Sequence, residues 1–150
     1  MNQRYLAALD QGTTSSRAVI FTREGQIVAS AAFEFKQHYP QPGWVEHDPA
    51  DILSTQIEAL RAAVRNAGIS PKEIAAIGVT NQRETTLLWD RKTGRCVHNA
   101  IVWQCRRTAP MVEKLEKEGC SEQIRVKTSL VPDAYFSVTK LKLLVDTLGL

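Results

Sequence analysis

The N-terminal part of the chain holds three short runs of β-forming residues, and the connections between them are very short. The runs are Tyr5–Gln11, Ser16–Thr22 and Ile27–Phe35, joined by a Gly-Thr-Thr turn and a turn around Gly25. Gly25 suits the second turn because glycine takes positive φ without a steric cost. Parallel neighbours need a crossover of about a dozen residues or more. The sequence therefore predicts a three-stranded antiparallel meander and disfavours an all-parallel, doubly wound sheet.

A long amphipathic helix is predicted after the loop His38–Trp44, which contains two prolines and a glycine. Asp48 is placed to cap the helix N-terminus, Pro49 fits the first helical position, and Gly68 supplies the C-terminal stop. Apolar residues recur at spacings of four, three and four. They make one apolar stripe along the helix, formed by Leu53, Ile57, Leu60 and Val64.

The rest of the chain alternates between strand and helix patterns. Ser70–Glu73 has the pattern of a capping box. The nearly continuous apolar run Ile74–Asn81 is typical of a central strand covered on both faces. Two further strands are predicted at Thr85–Asp90 and Cys96–Trp103, and three helices at Ala109–Gly119, Ser121–Lys127 and Ser137–Gly149. Together these patterns predict an α/β domain built on a mixed sheet.

Composition excludes several classes of function. The 150 residues are 43% hydrophobic and 23% charged, which is ordinary for a globular domain, and the net charge of +3 is too small to indicate nucleic acid or a membrane as partner. No run is long enough to span a bilayer, and the N-terminus lacks the pattern of a signal peptide. The three cysteines form no C-x-x-C motif, which favours reduced thiols and a cytoplasmic location.

Hydroxyl residues cluster at the first turn, in Asp10-Gln11-Gly12-Thr13-Thr14-Ser15-Ser16-Arg17. Hydroxyl and backbone N–H donors suit phosphate oxygens, and Gly12 lets the backbone approach a ligand closely. Asp10 could hold Mg²⁺ through water, and Arg17 could neutralise phosphate charge. The single glycine matches neither a P-loop nor a dinucleotide fingerprint. A polar hairpin turn with a strand-edge arginine explains the same residues.

A second candidate site follows the run Ile74–Asn81. Arg83 and Glu84 place donors beside an acceptor, as a polyol requires, although a surface salt bridge is the simpler explanation. Trp103 and Tyr135, taken alone, are explained by ordinary packing. The neighbouring pair Arg106 and Arg107 could supply charges to the substrate or form a surface pair at the start of a helix, and the surface position is favoured.

The chain resembles the FGGY family of carbohydrate kinases, in the actin-like ATPase superfamily, and most closely the N-terminal part of its glycerol kinases. The motifs that carry the resemblance keep family order over nearly the whole chain: Asp10–Arg17, His38–Pro49, Gly78–Thr86, Ala100–Thr108 and Asp133–Lys142. The resemblance implies a ribonuclease H-like mixed sheet with three leading antiparallel strands and helices on both faces. It also implies ATP and Mg²⁺ as cofactors, with Thr13, Thr14, Ser15 and Arg17 on the phosphates and Asp10 on the metal.

The same resemblance implies glycerol as the second substrate, contacted by Arg83, Glu84, Trp103 and Tyr135. In the family the catalytic base lies beyond the position of Leu150, so no catalytic residue is expected within this chain. Residues 1–150 are then a partial N-terminal domain without the second lobe, inactive alone, and the full-length protein is expected to be a homo-oligomer. Ser129 departs from the family, which usually has glycine there. A kinase for another polyol and a non-catalytic actin-like scaffold remain alternatives.

Overall fold

The computed structural model describes residues 4–149, which form two compact units. The first unit comprises residues 4–36 and 48–82, and the second comprises residues 37–47 and 83–149. The strands are β1 (Tyr5–Gln11), β2 (Ser15–Thr22), β3 (Ile27–Glu34), β4 (Glu46–His47), β5 (Ile74–Thr80) and β6 (Ala100–Ile101). The helices are α1 (Pro49–Asn66), α2 (Ala109–Lys117), α3 (Cys120–Thr128) and α4 (Ser137–Leu148).

The first unit is built on a four-stranded sheet with the order β3-β2-β1-β5. β1 pairs antiparallel with β2, and β2 pairs antiparallel with β3. β5 pairs parallel with β1, so the sheet is mixed. The antiparallel meander and the mixed sheet predicted from the short turns are both confirmed.

Helix α1 begins and ends where the sequence predicts. The Asp48 carboxylate accepts a hydrogen bond from the Ala50 N–H at 2.8 Å, and Pro49 occupies the first helical position. Just beyond the C-terminal end, Gly68 has a φ of +65°, the left-handed conformation that glycine adopts most easily. The capping box is confirmed as well, since the Ser70 side chain and the Glu73 side chain cap each other's backbone around a short 3₁₀ turn.

The face that α1 packs against the sheet is only partly the apolar stripe noted in the sequence. Leu53 is 63% exposed and Ile57 is 41% exposed. The helix instead buries Ala59 and Ala63, beside Val64, against Ala7, Ala18 and Ile20 of the sheet. Small side chains allow a helix to lie close to a sheet, and alanines contribute little to a pattern based on large apolar residues. The spacing therefore predicted the helix correctly, but two of the four residues in the predicted stripe, Leu53 and Ile57, are exposed and not buried.

The prediction of a covered central strand at Ile74–Asn81 is wrong for the described part of the chain. β5 lies at the edge of the sheet, and its residues Ile77 and Val79 are exposed. Helix α1 packs mainly over β1, β2 and β3, so it leaves β5 largely uncovered. An apolar run indicates that both faces of a strand are to be buried, but it does not indicate which element of the protein buries them. The other three helices belong to the second unit, and helices on both faces of the sheet stay a prediction.

The second unit contains a two-stranded antiparallel sheet, β4 with β6, and the helices α2, α3 and α4. The three helices are confirmed within one or two residues of their predicted ends. The two long strands predicted at Thr85–Asp90 and Cys96–Trp103 are wrong in extent, because only Ala100–Ile101 forms a strand and two isolated bridges remain. Asp90 accepts hydrogen bonds from the Lys92 and Thr93 N–H groups, which ties the backbone into a turn instead of a long ladder.

The described helices, all within residues 4–149, include none with the length and apolar character that crossing a membrane requires.

Candidate functional site

The turn between β1 and β2 depends on a glycine at position 12. The Gly12 N–H donates to the Ser15 carbonyl oxygen at 3.0 Å, which closes the turn. A Cβ added to Gly12 would lie 2.9 Å from that same oxygen, which is closer than real Cβ atoms approach. Because the clash is with backbone, no side-chain movement can relieve it. The tight turn therefore requires glycine here.

The turn presents hydroxyl groups at the end of the hairpin. Thr14 is exposed, whereas Thr13 and Ser15 are half-buried. The Thr14 carbonyl oxygen accepts a hydrogen bond from the Phe35 N–H at 3.3 Å, which links the turn to the end of β3. Hydroxyl and amide donors grouped on a fixed turn suit the oxygens of a phosphate.

A buried hydroxyl network holds the hairpin on helix α1. Ser16 is fully buried, and its hydroxyl donates to the Gln11 side-chain oxygen at 2.9 Å. The same hydroxyl lies 2.8 Å from the hydroxyl of Thr55, which donates to the Asp51 carbonyl at 2.7 Å. Sequence reasoning missed Ser16 and Thr55. The available signal was the strand period, since Ser16 shares a face with the buried Ala18 and Ile20.

Asp10 and Arg17, predicted for the metal and the phosphates, are paired with each other. The Arg17 guanidinium lies 2.8 Å from Asp10 Oδ2, and the two side chains are 57% and 39% exposed. Exposed pairs of this kind contribute about 0–1 kcal/mol, so a ligand can replace the partner of either residue at low cost. No group of three or more possible metal ligands occurs within residues 4–149. Mg²⁺ in proteins commonly takes most of its ligands from phosphates and water.

In the second unit, Glu84 is held in an uncommon conformation at the start of α4. Its φ is +62°, in the left-handed region that non-glycine residues rarely adopt. Glu84 Oε2 accepts hydrogen bonds from the Ser137 N–H at 2.7 Å and from the Ser137 hydroxyl at 2.6 Å. The carboxylate thus caps the helix N-terminus, where the macrodipole favours negative charge. Backbone strain of this kind is concentrated at functional sites.

Two aromatic rings complete this cluster. The Trp103 and Tyr135 rings meet edge to face with centroids 5.9 Å apart, and Tyr135 contacts Phe136 in the same manner at 5.2 Å. Both Trp103 and Tyr135 are half-buried, so each has a packed side and an accessible side. All four predicted polyol contacts lie in the second unit, and three of them, Glu84, Trp103 and Tyr135, are grouped near the start of α4. Arg83 is exposed, and none of the ion pairs described between residues 4 and 149 includes it.

The surface position expected for Arg107 is wrong, while Arg106 is exposed as predicted. The Arg107 side chain is only 2% exposed, and it forms an ion pair with Glu46 at 2.7 Å. Its guanidinium also stacks on the Trp44 ring, 3.9 Å from the centroid. Burial raises the pKa of Glu46, but hydrogen bonds from Arg107 and Asn99 outweigh burial, and the pKa is lowered. Sequence reasoning missed this pair because its members are 61 positions apart.

The catalytic base is expected beyond Leu150, at a position that the structure does not describe. Leu150 itself lies outside the described residues, which end at Gly149. The position of the base, and with it the expectation that no catalytic residue occurs within the chain, therefore stays a prediction.

The mixed sheet led by an antiparallel meander, with a hydroxyl-rich first hairpin, has the arrangement that the resemblance to the FGGY family implies. The family model described as "FGGY family of carbohydrate kinases, N-terminal domain" matches residues 5–147. The chain belongs to this family.

Individual relatives show which members of the family the chain is similar to. The chain is 58% identical over 143 residues to glycerol kinase 2 of Thermotoga maritima, a match that covers 95% of this chain and 29% of the relative. The structure is similar to the crystal structure of Plasmodium falciparum glycerol kinase with ADP, with a TM-score of 0.86, 31% identity, and coverage of 95% of this chain and 28% of that chain.

A xylulose kinase has an equally similar fold. The structure of xylulose kinase from Rhodospirillum rubrum matches with a TM-score of 0.87 and 27% identity, covering 95% of this chain and 29% of that chain. Fold similarity alone therefore does not distinguish a glycerol substrate from a sugar. The chain spans about 29% of the length of the curated relatives it matches.

Proposed function

We propose that this chain is the N-terminal part of a glycerol kinase, which transfers the γ-phosphate of ATP to glycerol and forms sn-glycerol 3-phosphate. The observation that carries the proposal is the 58% identity with a glycerol kinase across 95% of the chain. The grouping of Glu84 with Trp103 and Tyr135 supports it, because a carboxylate accepts from hydroxyl groups while aromatic faces contact the carbon backbone.

The first unit is proposed to bind the phosphates of ATP. Thr13, Thr14 and Ser15 would donate hydrogen bonds to phosphate oxygens, and Arg17 would neutralise their charge on release from Asp10. Mg²⁺ bound with ATP and held at Asp10 would stabilise negative charge on the phosphates during transfer. Phosphoryl transfer relies on positioning and on charge stabilisation, and the rigid hairpin suits both.

The second unit is proposed to bind glycerol. Arg83 would donate to a glycerol hydroxyl and Glu84 would accept from one, while Tyr135 contributes its phenol group and Trp103 packs against the carbons. The group that takes the proton from the reacting hydroxyl is proposed to lie beyond Leu150. The proposed enzyme works in the cytoplasm, which agrees with Cys96, Cys105 and Cys120 all being free thiols. It is also proposed to be a homo-oligomer.

A coupled assay of ADP release, run on the full-length protein with glycerol and with xylulose, tests the proposal. Glycerol-dependent turnover at about 1–100 per second, with glycerol 3-phosphate identified as the product, is the expected result. The 150-residue chain assayed alone serves as the control and is expected to be inactive. Faster turnover with xylulose, or no turnover with glycerol, would contradict the proposal.

A further inference from the structure

Lys140 is a cation in a place that stability does not favour. It lies in the first turn of α4 and is 0% exposed. Moving an ammonium group out of water costs several kcal/mol per ion in real proteins. The N-terminal end of a helix also carries partial positive charge, which disfavours a cation there. A methionine or leucine would fill the same volume without either cost, so the ammonium group needs another explanation.

The ammonium group holds the backbone of Tyr135. Lys140 Nζ donates to the carbonyl oxygen of Tyr135 and, at 3.2 Å, to that of Phe136. The N–H of Tyr135 donates in turn to Asp133 Oδ1 at 2.6 Å. Lys140 and Asp133, which carry opposite charges, therefore hold the carbonyl group and the N–H group of Tyr135. The Tyr135 ring, which meets Trp103 edge to face, starts from this fixed backbone.

The same ammonium group balances negative charge near the predicted polyol contacts. Burial lowers the pKa of Lys140, while the Glu84 carboxylate opposes that shift, followed by Cys105 and Asp133. Arg106 acts in the other direction, as a like charge. Glu84 is itself fixed by Ser137, three residues before Lys140 on the same helix. One buried cation thus acts on both Glu84 and Tyr135.

We propose that Lys140 is a positioning residue of the polyol site, fixing the Tyr135 backbone and balancing the Glu84 carboxylate so that both side chains can hold the hydroxyl groups of the substrate. Lys140 has no exposed surface, so it acts through the residues packed around it and not by contact with a ligand. The proposal rests on the proposed function, because Glu84 and Tyr135 must bind a polyol. Misplacement of a substrate-binding group by about 1 Å can cost around a hundredfold in rate, so a fixed backbone matters here.

Substitutions in the full-length kinase test this role. Lys140→Met removes the charge and all N–H donors at similar side-chain length, and Lys140→Gln keeps donors but removes the charge. Lys142→Met is the matched control, since Lys142 lies on the same helix, is exposed, and pairs with Asp146. For each variant the Tm is measured first, and then kcat and the KM for glycerol and for ATP are measured well below the lowest Tm.

The expected result is a KM for glycerol raised about tenfold or more in Lys140→Met and by a smaller factor in Lys140→Gln. The KM for ATP should stay within about twofold of wild type in both, and Lys142→Met should match wild type. In the double variant Lys140→Met/Tyr135→Phe, the KM for glycerol should rise by less than the product of the two single-variant factors, because both substitutions affect the same contact. If Lys140→Met does not fold, Lys140→Gln decides the question by the same measurements.

A merely structural role gives a different pattern. Unchanged KM for glycerol in the folded Lys140 variants, or KM values for glycerol and ATP that rise together, would overturn the proposal. These results require a wild-type enzyme that phosphorylates glycerol. A wild-type enzyme inactive on glycerol would instead contradict the proposed function, so the two failures are distinguishable.

Discussion

Asp10 and Arg17 are direct partners in the register of the β1–β2 hairpin, and their side chains form an ion pair of 2.8 Å. Their positions on opposite strands next to the hydroxyl-rich turn place a cation and a carboxylate at the same end of the sheet. Because neither side chain is buried, the pair contributes little to stability. The two charges are therefore available for a ligand, and this gives a direct test of their role.

Arg17→Ala in the full-length protein is expected to weaken ATP and ADP binding by about 10–100-fold, since losing a charged hydrogen bond costs ~1.5–3 kcal/mol. The affinity for adenosine should not change, because adenosine has no phosphate, and the Tm should stay close to wild type. Calorimetric titration with each ligand measures the effect. Arg23→Ala, at an exposed position of the next turn, is the control. Equal losses for adenosine and ATP would mean that Arg17 is structural.

Gly12→Ala tests whether the turn geometry itself is needed for nucleotide binding. The new Cβ would lie 2.9 Å from the Ser15 carbonyl oxygen, so the turn must open and its hydroxyl groups must move. We expect weaker ATP binding by at least about tenfold, together with a lower Tm, since strained backbone costs roughly 1–3 kcal/mol. Both effects can be measured by titration calorimetry and thermal unfolding.

Gly25→Ala is the matched control for Gly12→Ala. Gly25 has a φ of +84°, so alanine is strained there too, but it lies in the turn between β2 and β3, away from the hydroxyl-rich turn. This variant should lower the Tm and leave ATP affinity unchanged. A similar loss of ATP affinity in both variants would show that general destabilisation, and not the first turn, explains the effect.

Local signals predicted much of the fold because their causes are local. The meander follows from short turns, and the ends of α1 follow from Asp48, Pro49 and Gly68, all within one turn of the helix ends. The covered strand predicted at Ile74–Asn81 failed because cover depends on residues distant in sequence. The prediction of long strands at Thr85–Asp90 and Cys96–Trp103 failed because hydrogen bonds from the backbone to the Asp90 side chain compete with pairing between strands.

The site residues likewise divide into those that the sequence predicted and those that it missed. Glu84, Trp103 and Tyr135 were found through the family resemblance, and the structure groups them. The buried polar residues were missed because their partners are distant in sequence, as with Arg107 and Glu46. Neither composition nor periodicity distinguishes an arginine on the surface from one in a buried pair. Contacts of this kind require the tertiary structure.

Ser129→Gly is expected to stabilise the protein. Ser129 follows α3 with a φ of +61°, where a Cβ is unfavourable and glycine is the usual residue. The gain should be about 0.5–1 kcal/mol, reduced by the larger entropy of glycine in the unfolded chain. Thermal unfolding of the full-length protein measures it. Ser129→Ala, which keeps the Cβ, should match wild type, and a Tm equally raised in both variants would contradict the strain.

Arg83→Ala should impair the use of glycerol far more than that of ATP. Arg83 is exposed and has no described ion pair to lose, so its removal should leave the Tm nearly unchanged. We expect kcat/KM for glycerol to fall about 10–100-fold, the effect of one charged hydrogen bond. Steady-state kinetics with glycerol varied provide the measurement, and Arg91→Ala in the exposed turn is the control. Wild-type kcat/KM for glycerol in Arg83→Ala would exclude the proposed contact.

The Glu46–Arg107 pair should make stability depend on pH in the acid range. The pKa of Glu46 lies below its ordinary value of 4.5 because hydrogen bonds from Arg107 and Asn99 outweigh the effect of burial. A lowered pKa in the folded state means that the ionised carboxylate stabilises the fold. This contribution is fully present above the unfolded value and is lost as the pH falls through the folded value.

Glu46→Gln removes this charge while keeping a similar shape. We expect a lower Tm than wild type at neutral pH, because the buried Arg107 loses its counter-charge, and a difference that shrinks as the pH falls below about 4.5. Calorimetry of the full-length protein between about pH 3.5 and 8 measures both curves. Glu118→Gln, at an exposed position, should follow the wild-type curve. If the Glu46→Gln and wild-type curves stay parallel down to the lowest pH, Glu46 does not contribute to the acid dependence.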